Sequence, residues 1–361
     1  MKSPQPEQPP PPAIKPGFIK RKAVNLANEG LVKAESLSPE RSLPLVVQPL
    51  VKRIDWLAWV KNNREFIENG IRKDGGILFR HFNISSATEF EQLTSAISEE
   101  LLEYRERSSP RTQVTGNIYT STDYPAYHSI FLHNENSYQQ AWPLRIFFFC
   151  RTAPEHGGET PIADCRRIYK RLPASIIERF AEKRVMYVRN FGDGFGLPWQ
   201  TVFQTTDKSV VEEHCRRAGI IAEWKEGERL RTRAVRPALA RHPRTGEMVW
   251  FNHATFFHIS TLSPAIREAL QAEFKEEDNL PTNSFYGDGS PIEPSVLDVL
   301  REAYREEMVS FPWQQGDVLM LDNMLAAHGR APYAGAREIL VAMAEPCSWS
   351  EIERVDSGGT E

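Results

Sequence analysis

The stretch SIFLHNENSY, residues 129–138, sets a histidine and a glutamate two positions apart at the end of an apolar run. If that run is a β-strand, alternate side chains share a face, so His133 and Glu135 project together about 7 Å apart along the chain. Asn134 then faces away. An imidazole and a carboxylate so placed can hold one small cation, although a surface histidine beside a solvated glutamate has the same spelling. A third donor is offered by His328 in LDNMLAAHGRAPYAGAREILVAM, which follows the strand-like DVLMLDN. Two imidazoles and one carboxylate on one face of an octahedron leave three positions open. That arrangement suits a non-haem Fe(II) that must take a cosubstrate and O2 together.

The other histidines form no comparable set. His253 and His258 in WFNHATFFHIS are five apart; read as a strand, they face opposite sides, with no carboxylate between them, which suits structural or substrate-lining roles. His81, His128, His156, His214 and His242 read as ordinary surface or core residues. The glycine- and aromatic-rich YVRNFGDGFGLPWQTVFQT, residues 187–205, reads either as a mobile lid or as an aromatic loop packed on a rim.

Strands and helices must carry these groups. Ile54, Leu57, Val60 and Ile67 make an amphipathic helical pattern ending at Gly70, followed by a strand at 75–82, a helix around 86–104 and strands at 144–152 and 183–191. Later helices run from Asp207 to Gly219, from Ser263–Pro264 with a buried stripe of Ile266, Leu270 and Phe274, and over 293–308 through Val296, Leu300, Tyr304 and Met308. Strands at 316–323 and 337–346 complete the set. Strands scattered along the chain, with no βαβ rhythm and no GxGxxG, favour a mainly β core with helical insertions over a doubly wound nucleotide fold.

Composition narrows the function classes. A chain of 361 residues with net charge −4 and mixed charges has no concentrated positive field for nucleic acid or an anionic membrane. The four cysteines, Cys150, Cys165, Cys215 and Cys347, lie far apart without a CxxC pair, which points to reduced thiols in the cytoplasm. IFFFC, residues 146–150, is far shorter than the ~20 residues of a membrane span, and no apolar signal core opens the chain. Prolines in MKSPQPEQPPPPAIKPGF mark residues 1–42 as a disordered or extended arm, with a catalytic domain over 43–346 and a tail over 347–361.

From about Leu43 to Pro346, through LHNENSY, GGETPIAD, WFNHATFFH and DNMLAAHGRAPYAGAR, the sequence resembles the TauD/TfdA-like Fe(II)/2-oxoglutarate-dependent dioxygenases. The resemblance implies a double-stranded β-helix, or jelly roll, and a pattern of HxD/E, then a threonine or serine, then a distant histidine and an arginine. Here these fall on His133, Glu135, Thr160, His328 and Arg337. The arginine lies nine residues beyond His328, a shorter loop than is usual in the family, which leaves Arg330 as a second candidate. The resemblance implies that 2-oxoglutarate chelates iron through its keto oxygen and C1 carboxylate. Arg337 and Thr160 can then hold the C5 carboxylate, and the glycines of HGGET let the backbone approach. Oxidation of the cosubstrate by O2 gives succinate, CO2 and an oxidant that replaces hydrogen on an unactivated carbon with hydroxyl.

GNIYTSTDYP, WPLRIFFFC and GGETPIAD most resemble the branch acting in nonribosomal-peptide and related natural-product (antibiotic) pathways, such as the syringomycin-pathway aspartyl hydroxylase. The substrate this implies is an amino acid, free or tethered to a peptidyl carrier protein, with Asn117, Tyr119, Arg189 and Asn252 as candidate contacts. Three rivals differ in identifiable residues. A halogenase of this fold replaces the carboxylate ligand by Ala or Gly, against Glu135. A sulfonate dioxygenase carries a second arginine where this chain has Val341. A binding module without catalysis would not need the full set.

Overall fold

The computed structural model describes residues 30–38, 40–103, 111–122, 124–192 and 194–356, with side chains of the last helix described to Ile352. Its spine is the strand Ala141–Thr152, paired antiparallel with Val318–Asp322 on one side and Glu338–Ser348 on the other. Around these three an eight-stranded sheet extends through Gly76–Phe79, Arg41–Pro49 and Val32–Ser38 on one side, and through Ile118–Thr120 and Gln113–Thr115 on the other. A second sheet of four strands, ordered Met308–Val309, Ile162–Asp164, Ala326–Arg330 and Ile130–His133, supplies the facing layer.

The period-two rule explains why the spine is apolar on both faces from Ile146 to Cys150. Phe147 and Phe149 turn to one face and pack with Phe90, Leu93, Ile67 and Ile71 from the covering helices. Ile146, Phe148 and Cys150 turn to the other, where they meet Ile162 and Ala326 of the second sheet. The flanking strand repeats the division, with Leu340 and Ala342 facing the helices and Ile339 and Val341 facing inward. Both faces are dry, so the strands read as continuous hydrophobic runs. This is the expected jelly roll, with helices outside and the metal-facing strands in the smaller sheet.

Several boundaries differ from expectation. The helix expected to end at Gly70 is two helices, Trp56–Asn62 and Arg64–Asp74. Asn63 breaks the first by turning its amide onto the Trp59 carbonyl, and Gly75, at φ +77°, ends the second. The next helix stops at Ile97. Ile266, Leu270 and Phe274 are half-buried on the helix Pro264–Glu273, whose stripe reaches no deep core. Met308 caps its helix and is exposed, whereas Val296, Leu300 and Tyr304 are buried.

The domain limits shift at both ends. Residues 1–29 of the proline-rich segment lie outside the described residues, but Val32–Ser38 forms a strand paired with Arg41–Pro49. The segment from 347 is likewise structured: Cys347 and Ser348 finish a strand, and Trp349–Asp356 is a helix. Its Trp349 and Ile352 are buried, Trp349 lying 4.9 Å from Trp142 and 5.9 Å from Phe251 between ring centroids. An aromatic cluster in the middle of the chain thus provides the tail with a dry seat.

An inserted four-stranded sheet is formed by Ile220–Trp224, Leu230–Arg236, Val185–Phe191 and Thr282–Tyr286. The segment 187–205, read as lid or packed rim, is packed at its two ends, which are the end of one strand and the helix Trp199–Phe203 with Trp199 and Val202 in a buried cluster, whereas Gly194, Phe195 and Gly196 between them are exposed. No helix among the described residues is long and apolar enough to cross a membrane.

Candidate metal centre

His133 ends the strand Ile130–His133, and His328 sits opposite it in register on Ala326–Arg330. Their rings lie 4.6 Å apart between centroids. Glu135 is beyond the strand, in the following turn, where Asn136 adopts φ +58°. The expected strand-face spacing therefore ends at His133, and the turn brings the carboxylate back. Glu135 Oε2 is 3.8 Å from His328 Nε2, and one donor atom from each of His133, Glu135 and His328 lies within 4.8 Å of the others.

Local contacts build this convergence. A bulge opposite Gly329 keeps the two strands close, and a Cβ there would come within 2.6 Å of the Ile130 carbonyl oxygen. Asn323 grips the turn from both sides: its Oδ1 accepts the Glu135 amide at 2.7 Å, and its Nδ2 donates to the Glu135 carbonyl at 2.9 Å. Asn134 faces away, as expected, and donates to the Asn323 carbonyl at 2.6 Å. His133 Nδ1 donates to the Phe131 carbonyl at 2.9 Å, which fixes the tautomer and leaves Nε2 with its lone pair for a ligand. Burial pushes the pKa of His133 down and that of His328 well down, so both are neutral, the form that binds a cation. The donor set, its burial and its backbone supports fit a divalent metal.

The same cavity is lined by Thr160, Arg337, Arg330 and Arg111. Thr160 Oγ1 accepts a bond from Trp313 Nε1 at 3.2 Å. Arg337 donates from Nε to the Gly158 carbonyl at 2.9 Å. Burial, and then the charge of Arg330, push its guanidinium down to about 10. Gly158 sits at φ +72°, and a Cβ on it would press on the Arg337 side chain at 3.0 Å, so glycine there is what lets the arginine lie along the backbone. Arg330 donates to the carbonyls of Tyr124, Pro125 and His128 at 2.7–2.9 Å, which commits it to holding a loop. Val341 lines the cavity as an apolar wall.

The four candidate substrate contacts do not gather here. Asn252 fastens its own loop, donating to the Ala238 carbonyl and accepting from the Ala254 amide. Asn117 donates to the Leu101 carbonyl and lines a different cleft. Tyr119 is buried in the core between the sheets, and Arg189 lies over the rings of Tyr138 and Phe191. The strand reading of His253 and His258 is also corrected: they flank the short helix Ala254–Phe257. His253 comes within 5.6 Å of His133 between ring centroids and bonds Ser137 Oγ at 2.5 Å through Nδ1. His258 turns to Ser260.

Sequence reasoning missed Arg111, Asn323 and Trp313, which meet the site only through tertiary folding. His242, read as an ordinary surface or core residue, is in the core, with Nε2 3.0 Å from Asp322, the neighbour of Asn323. A roomier cleft of about 780 Å³, lined by Asn190, Arg231 and Lys275 among others, includes none of the metal-facing residues.

Comparison with known proteins agrees with this geometry. The chain is 41% identical over 280 residues to the dapdiamide synthesis protein DdaC of Enterobacter agglomerans, covering 78% of this chain and 85% of that protein. It is 28% identical over 316 residues to a clavaminate synthase-like protein of Arabidopsis thaliana, covering 84% and 89%. Its fold is similar to that of PvcB from Pseudomonas aeruginosa, with a TM-score of 0.53 at 15% identity over 88% of this chain and 92% of that one. The family described as taurine catabolism dioxygenase TauD, TfdA matches residues 41–343, and the chain belongs to it.

Proposed function

We propose that this dioxygenase uses Fe(II), 2-oxoglutarate and O2 to hydroxylate an aliphatic carbon of an amino acid, free or held as a thioester on a peptidyl carrier protein, in natural-product biosynthesis. The observation that carries this reading is the convergence of His133, Glu135 and His328 beside a cavity that His133 and His328 line together with Arg337 and Thr160. The two imidazoles and the carboxylate would hold the metal on one face. Arg337 and Thr160 would bind the far carboxylate of 2-oxoglutarate, a guanidinium fork and a hydroxyl matching its two oxygens. The metal and cosubstrate supply the oxidising chemistry when bound. Phe148, Ile339 and Val341 line the cavity with apolar surface and keep water from it.

The biosynthetic setting is supported by the relative DdaC, named for dapdiamide synthesis. A catabolic sulfonate or aryloxy-acid dioxygenase is the second reading, and the apolar Val341 at the cavity wall disfavours its sulfonate form. The four cysteines are free and buried, which suits the cytoplasm we assign.

Offering the Fe(II)/2-oxoglutarate-loaded enzyme a panel of free amino acids and carrier-bound aminoacyl thioesters, then admitting O2, tests the reading by mass spectrometry. A gain of one oxygen on an aminoacyl substrate, coupled to succinate, is the expected result. Coupled turnover with sulfonates or aryloxy acids alone would move the enzyme to the catabolic class. Absence of any 2-oxoglutarate turnover would remove the enzymatic reading.

A further inference from the structure

Arg111 enters the cavity from the segment before the strand Gln113–Thr115 and lies with its side chain 5% exposed. Its Nη2 donates to Glu135 Oε2 at 2.9 Å. It lines the same cavity as His133 and His328. A buried arginine costs several kcal/mol unless an anion balances it. One such anion among the described residues is Glu135, a carboxylate that a metal would claim.

The charges of the lining sharpen the point. Arg111, Arg330 and Arg337 line a cavity with no carboxylate in its lining among the described residues, and Glu135 meets it only through its contacts with Arg111 and His328. A divalent metal and a doubly negative 2-oxoglutarate cancel one another, so their joint arrival leaves the excess of guanidinium over carboxylate as it was. Arg330 is fastened to three carbonyl oxygens, and Arg337 is assigned to the cosubstrate. The cavity holds about 40 Å³ of room, small beside the ~300 Å³ and upward of ligand pockets. Occupancy by cosubstrate and substrate therefore requires a side chain to yield, and Arg111 is the one whose partner the metal takes.

We infer that Arg111, which pairs with Glu135, is the anchor for a carboxylate of the primary substrate and turns its guanidinium to that anion when metal and 2-oxoglutarate are bound. The substrate is thereby an acid, such as a dicarboxylic amino acid, in preference to its amide. This rests on the Fe(II)/2-oxoglutarate reading and adds a specificity-determining residue to it. A bidentate guanidinium–carboxylate pair in a dry site is strong because both groups are charged and the fork matches the two oxygens. An amide can satisfy half of that geometry and none of the charge.

The test is calorimetric binding to protein loaded with Mn(II) and 2-oxoglutarate, which does not require turnover. The probes are aspartate with asparagine and glutamate with glutamine, each offered free and as the N-acetylcysteamine thioester. Wild type is expected to bind at least one acid ~10-fold or more tighter than its amide, the discrimination typical of hydrogen bonds to a charged group. In Arg111→Gln the ratio should fall to about one, and in Arg111→Lys, which keeps charge without the fork, to an intermediate value. The same titrations read Mn(II) and 2-oxoglutarate binding, so failure to load in wild type would count against the enzymatic reading and is distinguishable from failure of the anchor. If Arg111→Gln does not load, Arg111→Lys alone decides. No acid preference in any pair with wild type, or a preference unchanged in the variant that loads, overturns the inference.

Discussion

At the turn after His133, Glu135 is held in place by the backbone grip of Asn323 and balanced by Arg111. Arg337 is the opposite kind of residue, a half-buried cation aligned by the Gly158 carbonyl and lining the cavity. Arg337→Ala should raise the 2-oxoglutarate KM ~10-fold or more, the scale of a lost charge-assisted bond, while metal binding persists; Thr160→Ala should do less. Steady-state succinate assays alongside metal titrations check this, and a larger cosubstrate defect in Arg330→Ala would reassign the anchor. The HxE spacing, the distal histidine and the arginine after it were legible because they sit in short motifs. Asn323 and Arg111 were not, since an asparagine after a strand and an arginine in a polar segment look like solvent residues until the fold brings them to Glu135. Asn252 misled for the converse reason: a polar side chain in a motif-rich loop is often satisfying that loop's own backbone.

Among the elements, the spine strand was readable from its apolar run, whereas the break at Asn63 and the final helix were not. Trp349–Asp356 is short and polar in sequence, and its burial depends on Trp142 and Phe251, which no local pattern places nearby. Trp349→Ala should lower unfolding free energy by about 3–5 kcal/mol, the range for emptying a large aromatic site in a packed core. Chemical denaturation measures this directly. A change below about 1 kcal/mol would restore the reading of residues 347–361 as a tail. The bulge at Gly329 marks another limit of sequence reading, because a glycine beside a metal-facing histidine could serve flexibility or close approach, and the 2.6 Å at which an added Cβ would meet the Ile130 carbonyl oxygen selects close approach.

Over the whole molecule, two sheets form the container, outer helices seal one side, and a further four-stranded sheet is inserted in the chain between the strands Ile162–Asp164 and Met308–Val309. Stability should depend on pH through His258, which burial, then the charge of Arg301, holds down at about 4. Above pH 6.5 both folded and unfolded chains keep it neutral. Between 6.5 and 4 the unfolded chain takes up a proton that the folded chain refuses, so this group lowers stability by up to about 1.4 kcal/mol per pH unit as pH falls. Replacing it with asparagine should flatten that part of the profile in denaturant titrations at pH 7.5 and 5.5, and an unchanged slope would show that His258 is not the source. The central claim is that His133, Glu135 and His328 hold Fe(II). Anaerobic titration of Fe(II) with 2-oxoglutarate, following bound iron and the visible charge-transfer band, tests it most directly. Wild type should bind one iron per chain and develop the band, and both should be lost in His133→Ala and His328→Ala; stoichiometric iron with the band intact in both variants would contradict the account.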